Sequence, residues 1–237
     1  VNNMRQPLSI PRREETVMLA TWHGTPLKRL VFDMDDVHSA NPRYKDIVFK
    51  QTRAWDYLLS DNPFSTERFQ SCFRFEKEKI LEYGYPANDP MYAPDREEQA
   101  AKIKEKLGIP KDKKVILYAP THRQEGKTVF PLKEQFDFDK LNQWCVNHNM
   151  VFVIRRHFYH KNEEVDFSMY SNITDITKKS MDIQEILMDT DILISDYSST
   201  YIDYLLLDRP LIFYNFDYED YLQNDREMYY DYDEVTP

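Results

Sequence analysis

Short apolar runs alternate with amphipathic stretches from residue 95 onward. The runs predict buried strands at 114–119, 150–154, 172–176, 191–195 and 210–214. Apolar residues at helical spacing predict intervening helices at 95–107, 138–148, 183–187 and 198–207. Asp95 and Glu98 form a predicted capping box for the first helix, and Gly108 is placed to end it. This alternation predicts an α/β fold with a doubly wound parallel sheet, whose ligands bind at the carboxyl ends of the strands.

The first third of the chain has a less regular pattern. It predicts strands at 16–22 and 57–60 and helices at 44–55 and 67–81, with a turn at 61–63. Three prolines between Gly84 and Pro94 predict an extended, exposed boundary. We therefore predict two domains, covering residues 1–94 and 95–237.

Charge and composition exclude several classes of protein. The chain has 31 Lys and Arg against 41 Asp and Glu, a net charge of -10, which argues against a nucleic-acid partner. No apolar run approaches the roughly 18 residues of a membrane span. The chain start lacks a signal-peptide core and two cysteines make no disulfide framework, so the expected location is the cytosol. The chain has four glycines, and their spacing forms neither a GxGxxG motif nor a P-loop.

The first polar cluster follows the predicted strand 16–22. His23 titrates near neutrality and suits a general base. Gly24 lets the backbone approach a ligand, and Lys28 adds a positive charge. The alternative is a structural histidine in a turn.

Two further clusters carry cations. Thr121 and Arg123 follow the strand 114–119, where a hydroxyl and a guanidinium suit phosphate. Arg155, Arg156 and His157 follow the strand 150–154 and predict an anion site. In both cases the alternative is a solvated surface loop.

A fourth cluster leads from the strand 191–195 into the helix 198–207. Ser198 or Ser199 is the expected N-cap, and the helix start could hold a phosphate. The alternative is a simple serine cap. Together the four clusters predict a diphosphate ligand, with His23 and His157 facing each other across an interdomain cleft, which favours a transferase.

Five motifs occur in a fixed order along the chain. They are Trp22-His-Gly-Thr-Pro-Leu-Lys28, Gly84-Tyr-Pro-x-Asn-Asp89, Leu117-Tyr-Ala-Pro-Thr121, Arg155-x-His157 and Ser195-Asp-Tyr-Ser-Ser199. Asp203 and the stretch from Leu207 to Tyr214 follow them. In these motifs the chain closely resembles the CDP-glycerol glycerophosphotransferase family of teichoic acid enzymes, over nearly its whole length.

The resemblance implies a GT-B fold, in which two Rossmann-like domains surround a cleft. The chain would be a fragment holding mainly the C-terminal, nucleotide-binding domain. The implied reaction transfers glycerol or ribitol phosphate from CDP-glycerol or CDP-ribitol to a lipid-linked polyol-phosphate acceptor, and CMP leaves. Family members act at the cytoplasmic face of the membrane. No cofactor and no metal are expected, since phosphoryl transfer depends mostly on positioning and charge stabilisation.

The resemblance also implies roles for individual residues. His23 would be the general base, and His157 with Arg155 would neutralise the diphosphate. The implied substrate-binding set is Trp22, Gly24, Thr25, Pro26, Lys28, Pro120, Thr121, Arg123, Arg155, Arg156, Ser198, Ser199 and Asp203.

Two positions depart from the family pattern. Ala87 stands where the family commonly has arginine, and Phe158 where it has proline. Three alternative functions stay open at this point. They are a metal-dependent glycosyltransferase using the carboxylates of 33–36, an ordinary sugar-nucleotide GT-B glycosyltransferase, and a CDP-alcohol-binding module with impaired catalysis.

Overall fold

The computed structural model describes residues 13–35, 41–123, 132–157, 165–224 and 227–235. Outside these ranges lie Asp36, Phe158 and the first twelve residues, which include the chain start that lacks a signal-peptide core. The chain forms two compact units, Val1–Asp89 with Arg226–Pro237, and Pro90–Asp225. This division differs from the predicted limits because the C-terminal residues return to the first unit. As functional domains, 1–94 and 95–237 stay a prediction.

The first unit contains a parallel three-stranded sheet of order β1-β2-β3. Its strands are β1 (Leu19–Ala20), β2 (Tyr57–Ser60) and β3 (Ile80–Glu82), and its helices are α1 (Tyr44–Thr52), α2 (Pro63–Cys72) and, near the chain end, α9 (Tyr232–Val235). The core between sheet and helices is formed by buried apolar side chains, among them Val48, Leu58, Phe69, Cys72 and Phe73.

Two predictions for this unit were wrong in their boundaries. The predicted strand 16–22 is only Leu19–Ala20, at the edge of the sheet. The predicted helix 67–81 is instead α2, followed by a separate strand, β3. The stretch 61–63, interpreted as a turn, starts this helix: Asn62 accepts a hydrogen bond from the Ser65 amide, and Pro63 occupies the first turn. Arg74, with φ +50°, redirects the chain after it.

The predicted extended boundary at 84–94 was also wrong. Residues Pro86–Tyr92 form a 3-10 helix, and the apolar side chains of Tyr85 and Met91 are buried. Burial of these two side chains outweighs the preference of a proline-rich stretch for an exposed, extended chain. Ala87 lies on this helix with its side chain exposed.

The second unit contains a parallel five-stranded sheet. Its strands are β4 (Lys114–Tyr118), β5 (Met150–Ile154), β6 (Ile173–Asp175), β7 (Ile192–Ser195) and β8 (Leu211–Phe213). Its helices are α3 (Arg96–Leu107), α4 (Leu132–Gln135), α5 (Phe138–Asn147), α6 (Ile183–Met188), α7 (Thr200–Leu205) and α8 (Tyr218–Asn224). The strands match the predicted runs to within a residue at each end, and the helices α4 and α8 were not predicted.

The ends of α3 test the predicted cap residues. Asp95 is the N-cap, but it makes no capping hydrogen bond. Its carboxylate accepts from the Gln99 side chain one turn later, so the predicted capping box is wrong. At the other end, Gly108 adopts φ +77° and closes the helix as predicted.

The strand order β6-β5-β4-β7-β8 reverses between β4 and β7. A parallel sheet wound in both directions from its first strand is the doubly wound architecture, and such sheets bind ligands at this reversal. The predicted α/β fold class is confirmed, with one parallel sheet in each unit. Cys72 and Cys145 are both buried and unpaired, one in each unit. Among the described residues, no helix has the length and apolar character needed to cross a membrane.

Candidate active site

Three of the four predicted clusters lie at one edge of the second unit's sheet. Tyr118, the last residue of β4, pairs in register with Ile154 of β5 and Ile194 of β7. The loops beginning at Ala119, Arg155 and Asp196 therefore leave the sheet side by side, next to the point of reversal. The structure confirms this convergence, which depends only on the strand assignments.

Two imidazoles meet at this edge. His122, after β4, stacks on His157, after β5, with ring centroids 5.0 Å apart and planes 28° from parallel. His157 was predicted as a site residue, and His122 was given no role. The sequence signal for His122 was its position just after a strand that neighbours the strand before His157.

The guanidinium of Arg123 is bound by acceptors of the protein itself. It donates to both carboxylate oxygens of Asp217 at 2.7 and 2.9 Å, to Asp196 at 2.9 Å and to the Thr121 carbonyl at 2.7 Å. Burial lowers the pKa of Arg123, but the hydrogen bonds to Asp217 and the charge of Asp196 outweigh this effect and raise it. The guanidinium is therefore held in a buried ion-pair network, and its predicted phosphate contact stays a prediction.

The same network includes two tyrosines. The rings of Tyr197 and Tyr221 stack at 3.8 Å, and the Arg123 guanidinium lies over both. The Tyr197 hydroxyl donates to Asp217 at 3.2 Å. Burial, and then the charge of Asp217, raise the pKa of Tyr197. Sequence reasoning missed Asp217 and Tyr221, since nothing in their local pattern distinguishes them from a surface segment.

Asp196 links this network to the loop after β4. It accepts from the Thr121 amide at 2.7 Å as well as from Arg123. The backbone at Pro120 and Thr121 is therefore fixed relative to the loop after β7. The predicted contacts of Pro120 and Thr121 with a nucleotide stay predictions.

Arg155 is engaged by backbone carbonyls. Its guanidinium donates to the carbonyl oxygens of Thr177 at 3.0 Å, Lys179 at 3.3 Å and Met181 at 3.1 Å. Burial lowers the pKa of Arg155, against the opposing charges of Asp175 and Asp182. The side chain thus shapes the loop after β6, and its predicted role in neutralising a diphosphate is not supported by these contacts.

Arg156 is also taken up by the protein. Its side chain is 6% exposed and pairs with Asp175 at 3.1 Å, while its amide donates to the Thr177 hydroxyl. Arg156 thus already pairs with a carboxylate, and its predicted anion contact stays a prediction. A cavity of about 760 Å³ opens beside this region, lined by Lys106, Arg155, Thr177, Lys178, Lys179, Ser180, Met181, Asp182 and Glu185.

The loop after β7 leads into a helix, as predicted, but this helix is shorter than expected. The helix α7 ends at Leu205, short of the predicted 207, and its N-cap, Ser199, makes no side-chain hydrogen bond. Ser198 instead accepts from the Thr200 amide at 3.3 Å and donates to the Thr200 hydroxyl at 3.0 Å. Asp203 is buried in α7. The predicted phosphate and nucleotide contacts of Ser198, Ser199 and Asp203 stay predictions.

The fourth predicted cluster lies in the first unit, in the loop after β1. Trp22 has φ +51° and Gly24 has φ +148°, both in the region that favours glycine. The exposed His23 ring stacks on Trp22 at 4.3 Å. Trp22 is held in turn by edge contacts to Phe69 and Phe73. A strained backbone carrying an exposed, ring-stacked histidine is typical of a functional site.

Two hydrogen bonds from neighbouring segments hold the rest of this loop. The Thr25 hydroxyl donates to Asp61, which follows β2, and the buried Tyr85 hydroxyl donates to the Gly24 carbonyl at 3.3 Å. Thr25 and Pro26 are themselves buried, so their side chains support the loop, and the contacts predicted for them with substrate are not supported. Lys28 forms an isolated antiparallel bridge with Met228; its predicted substrate contact, like that of Trp22, stays a prediction.

The electrostatics of His23 suit a base. Desolvation lowers the pKa of its imidazole from 6.5, so the ring is neutral at pH 7 and can accept a proton. His23 belongs to the first unit and His157 to the second. That they face each other across a cleft stays a prediction.

The carboxylates considered for a metal have other partners. Asp33 accepts from the hydroxyls of Ser71 and Tyr229, both at 2.6 Å, and Asp35 pairs with Arg29. Within the described ranges, no group of three or more His, Cys, Asp or Glu side chains is arranged to hold a metal ion.

The family model for "CDP-Glycerol:Poly(glycerophosphate) glycerophosphotransferase" matches residues 1–237. The chain belongs to this family. A "Teichoic acid poly(glycerol phosphate) polymerase" from Bacillus spizizenii is 42% identical over 244 residues, covering 100% of this chain and 61% of the relative. The resemblance drawn from the five motifs is thereby confirmed.

Solved structures agree with the family assignment. The wall teichoic acid polymerase TagF superimposes with a TM-score of 0.88 at 39% identity, over 100% of this chain and 59% of that one. A variant of TagF soaked with CDPG for 15 minutes matches with a TM-score of 0.86 at 38% identity, over 99% of this chain and 58% of that one. The chain therefore spans about 60% of the length of these glycerophosphotransferase relatives, as expected for a fragment.

Proposed function

We propose that the protein containing this chain transfers glycerol phosphate from CDP-glycerol to a hydroxyl of a lipid-linked teichoic acid acceptor, releasing CMP. The observation that carries the proposal is the family match over the whole chain. The polymerase relative from Bacillus spizizenii is named for poly(glycerol phosphate), which favours glycerol over ribitol. The TagF variant soaked with CDPG supports a CDP-alcohol donor.

Within this function His23 is the general base. It takes the proton of the acceptor hydroxyl as the oxygen attacks the β-phosphorus of the donor, and CMP is the leaving group. An exposed ring on a fixed loop, with its pKa lowered, supports this role. A base of this kind contributes about 100-fold to 10,000-fold to the rate.

The second unit binds the donor in this proposal. The stacked rings of His122 and His157 follow β4 and β5, next to the reversal of the sheet, where doubly wound folds bind nucleotides. They are suited to donate hydrogen bonds to the diphosphate, with Ser198 and Ser199 nearby on the loop after β7. Arg123 and Arg156 hold the loops of this site in place, since Arg123 pairs with the buried Asp196 and Asp217 and Arg156 pairs with Asp175.

The acceptor is lipid-linked, so we propose that the whole protein works at the cytoplasmic face of the membrane as a peripheral protein. Its family membership supports this location. The chain's net charge of -10 does not favour binding to anionic lipid by charge alone.

The donor preference can be measured directly. The whole protein, incubated with a lipid-linked acceptor, should release CMP from CDP-glycerol faster than from CDP-ribitol, and should not use UDP-sugars. Faster turnover of CDP-ribitol would identify a ribitol-phosphate transferase. Use of a UDP-sugar would overturn the proposal in favour of a glycosyltransferase, and tight donor binding without CMP release would indicate an impaired module.

Metal dependence is a separate expectation. We propose that the reaction needs no metal, because Asp33 and Asp35, the carboxylates considered as ligands, already have protein partners. CMP release should therefore persist after dialysis against excess EDTA, measured beside an untreated sample. Loss of turnover on chelation, restored by a divalent cation, would contradict this expectation.

A further inference from the structure

The last described residues of the chain return to the loop that carries His23. Residues 227–230, which we call the strap, lie against residues 27–33. The Tyr229 amide donates to the Leu27 carbonyl at 3.0 Å, and the Arg29 amide donates to the Glu227 carbonyl at 2.8 Å. The two segments thus pair through a single antiparallel bridge, Lys28 with Met228, although about 200 positions separate them, 199 between Leu30 and Tyr229.

The side chain of Tyr229 adds two hydrogen bonds to this backbone pairing. The Tyr229 hydroxyl accepts from the Leu30 amide at 3.2 Å and donates to the Asp33 carboxylate at 2.6 Å. It therefore fixes both ends of the segment that follows the His23 loop. Burial raises the pKa of Tyr229, which keeps the phenol protonated and able to donate. Phe64 packs edge-on against its ring, and the Arg68 guanidinium lies over it.

The His23 loop needs such support. Trp22 and Gly24 hold φ angles of +51° and +148°, and strained conformations persist only where surrounding contacts over-determine them. Asp61 and Tyr85 fix the loop at Thr25 and Gly24. The strap fixes it from the other side, beginning at the buried Leu27. We therefore expect that loss of the strap contacts lets the loop relax and moves the His23 ring from its stack on Trp22.

We infer that the strap is a positioning element for His23, and that Tyr229 is its positioning residue. Tyr229 touches no reacting atom in this account; it acts through the loop. The inference rests on the proposed function only in that His23 is the base. The dependence of the loop on the strap is a structural statement that can be measured without any turnover.

The test is Tyr229→Phe in the whole protein, which keeps the ring and removes the hydroxyl. A protonated imidazole stacked on an indole quenches its fluorescence, so the reporter is the pH-dependent quenching that His23→Gln abolishes. In the parent its midpoint should lie below 6.5, because desolvation lowers the pKa of His23. In Tyr229→Phe the amplitude should fall and the midpoint should move up toward 6.5, because an imidazole that leaves its stack on Trp22 loses part of its desolvation.

Turnover gives the second reading. Tyr229→Phe should lower kcat for CMP release about 10-fold or more, since a misplacement of about 1 Å can cost about 100-fold, while KM for CDP-glycerol stays unchanged. The matched control is Tyr170→Phe, which removes a tyrosine–aspartate hydrogen bond of 3.0 Å to Asp139 in the second unit. It should leave quenching and kcat at parent values.

Asp33→Ala breaks the same bond from its other end and should reproduce both changes, which guards against a folding defect peculiar to one variant. Parent-like quenching and kcat in folded Tyr229→Phe and Asp33→Ala would overturn the inference. If the parent itself releases no CMP, the proposed function fails, and the quenching alone still decides whether the strap positions His23.

Discussion

Replacing His23 with alanine should lower kcat for CMP release from CDP-glycerol by about 100-fold to 10,000-fold. The loss is this large because no other group on the exposed part of the loop can take the acceptor proton. Gly24 has no side chain, and the Thr25 hydroxyl is committed to Asp61. KM for the donor should change little, since the proposed donor site belongs to the second unit.

The pH dependence should identify the base. With its pKa lowered from 6.5, the imidazole is neutral at pH 7 and becomes protonated only at more acid pH. In the parent, kcat/KM should therefore be level near neutrality and fall as the pH drops below 6.5. This acid limb should be missing from the residual activity of His23→Ala.

His148→Ala is the matched control for His23→Ala. It removes another exposed histidine that stacks on a tryptophan, Trp144, at 4.1 Å, at the C-cap of α5 in the second unit. Parent-like turnover is expected in this variant. Equal turnover in His23→Ala and the parent would remove His23 from the mechanism.

Replacing Arg123 with methionine should lower the free energy of unfolding of the second unit by about 3–5 kcal/mol. The change leaves the carboxylates of Asp196 and Asp217, which are 2% and 3% exposed, without a buried counter-charge. It also removes the cation that lies over the stacked rings of Tyr197 and Tyr221. Denaturant unfolding followed by circular dichroism measures the loss.

Lys102→Met is the control for a charge that is not buried. Lys102 pairs with Glu98 on the surface of α3, each side chain 68% exposed, and its loss should barely move the unfolding midpoint. If Arg123 binds phosphate and is not part of the stabilising network, the opposite pattern is expected. A phosphate-binding Arg123 would cost donor affinity while stability stayed at the parent value.

The second sheet could be predicted from the sequence because each strand is an apolar run bounded by polar turns. Parallel strands buried on both faces give this continuous pattern, and Met150–Ile154 was predicted without error. The first unit was harder. The strand β3 has three residues, which is too short to show a period of its own, and it was absorbed into a predicted helix.

The site was predictable in position and less so in chemistry. Residues after strands were correctly expected at one sheet edge, since that follows from topology alone. The partners of the arginines were not visible. Arg123 is neutralised by Asp217, 94 positions later, and Arg155 binds carbonyls of the loop after β6. An arginine just after a strand therefore indicated a polar site, but the sequence did not show which hydrogen-bond acceptor the arginine binds.

Because the strap belongs to the first unit, the two units are completed at different times during synthesis. The second unit is continuous in sequence, Pro90–Asp225, whereas the first is completed by residues beyond it. Domains generally fold as units while translation proceeds, so the second unit can reach its native state on the ribosome while the His23 loop still lacks Tyr229. The His23 loop therefore gains its contacts with Tyr229 only after residues 90–225 have been synthesised.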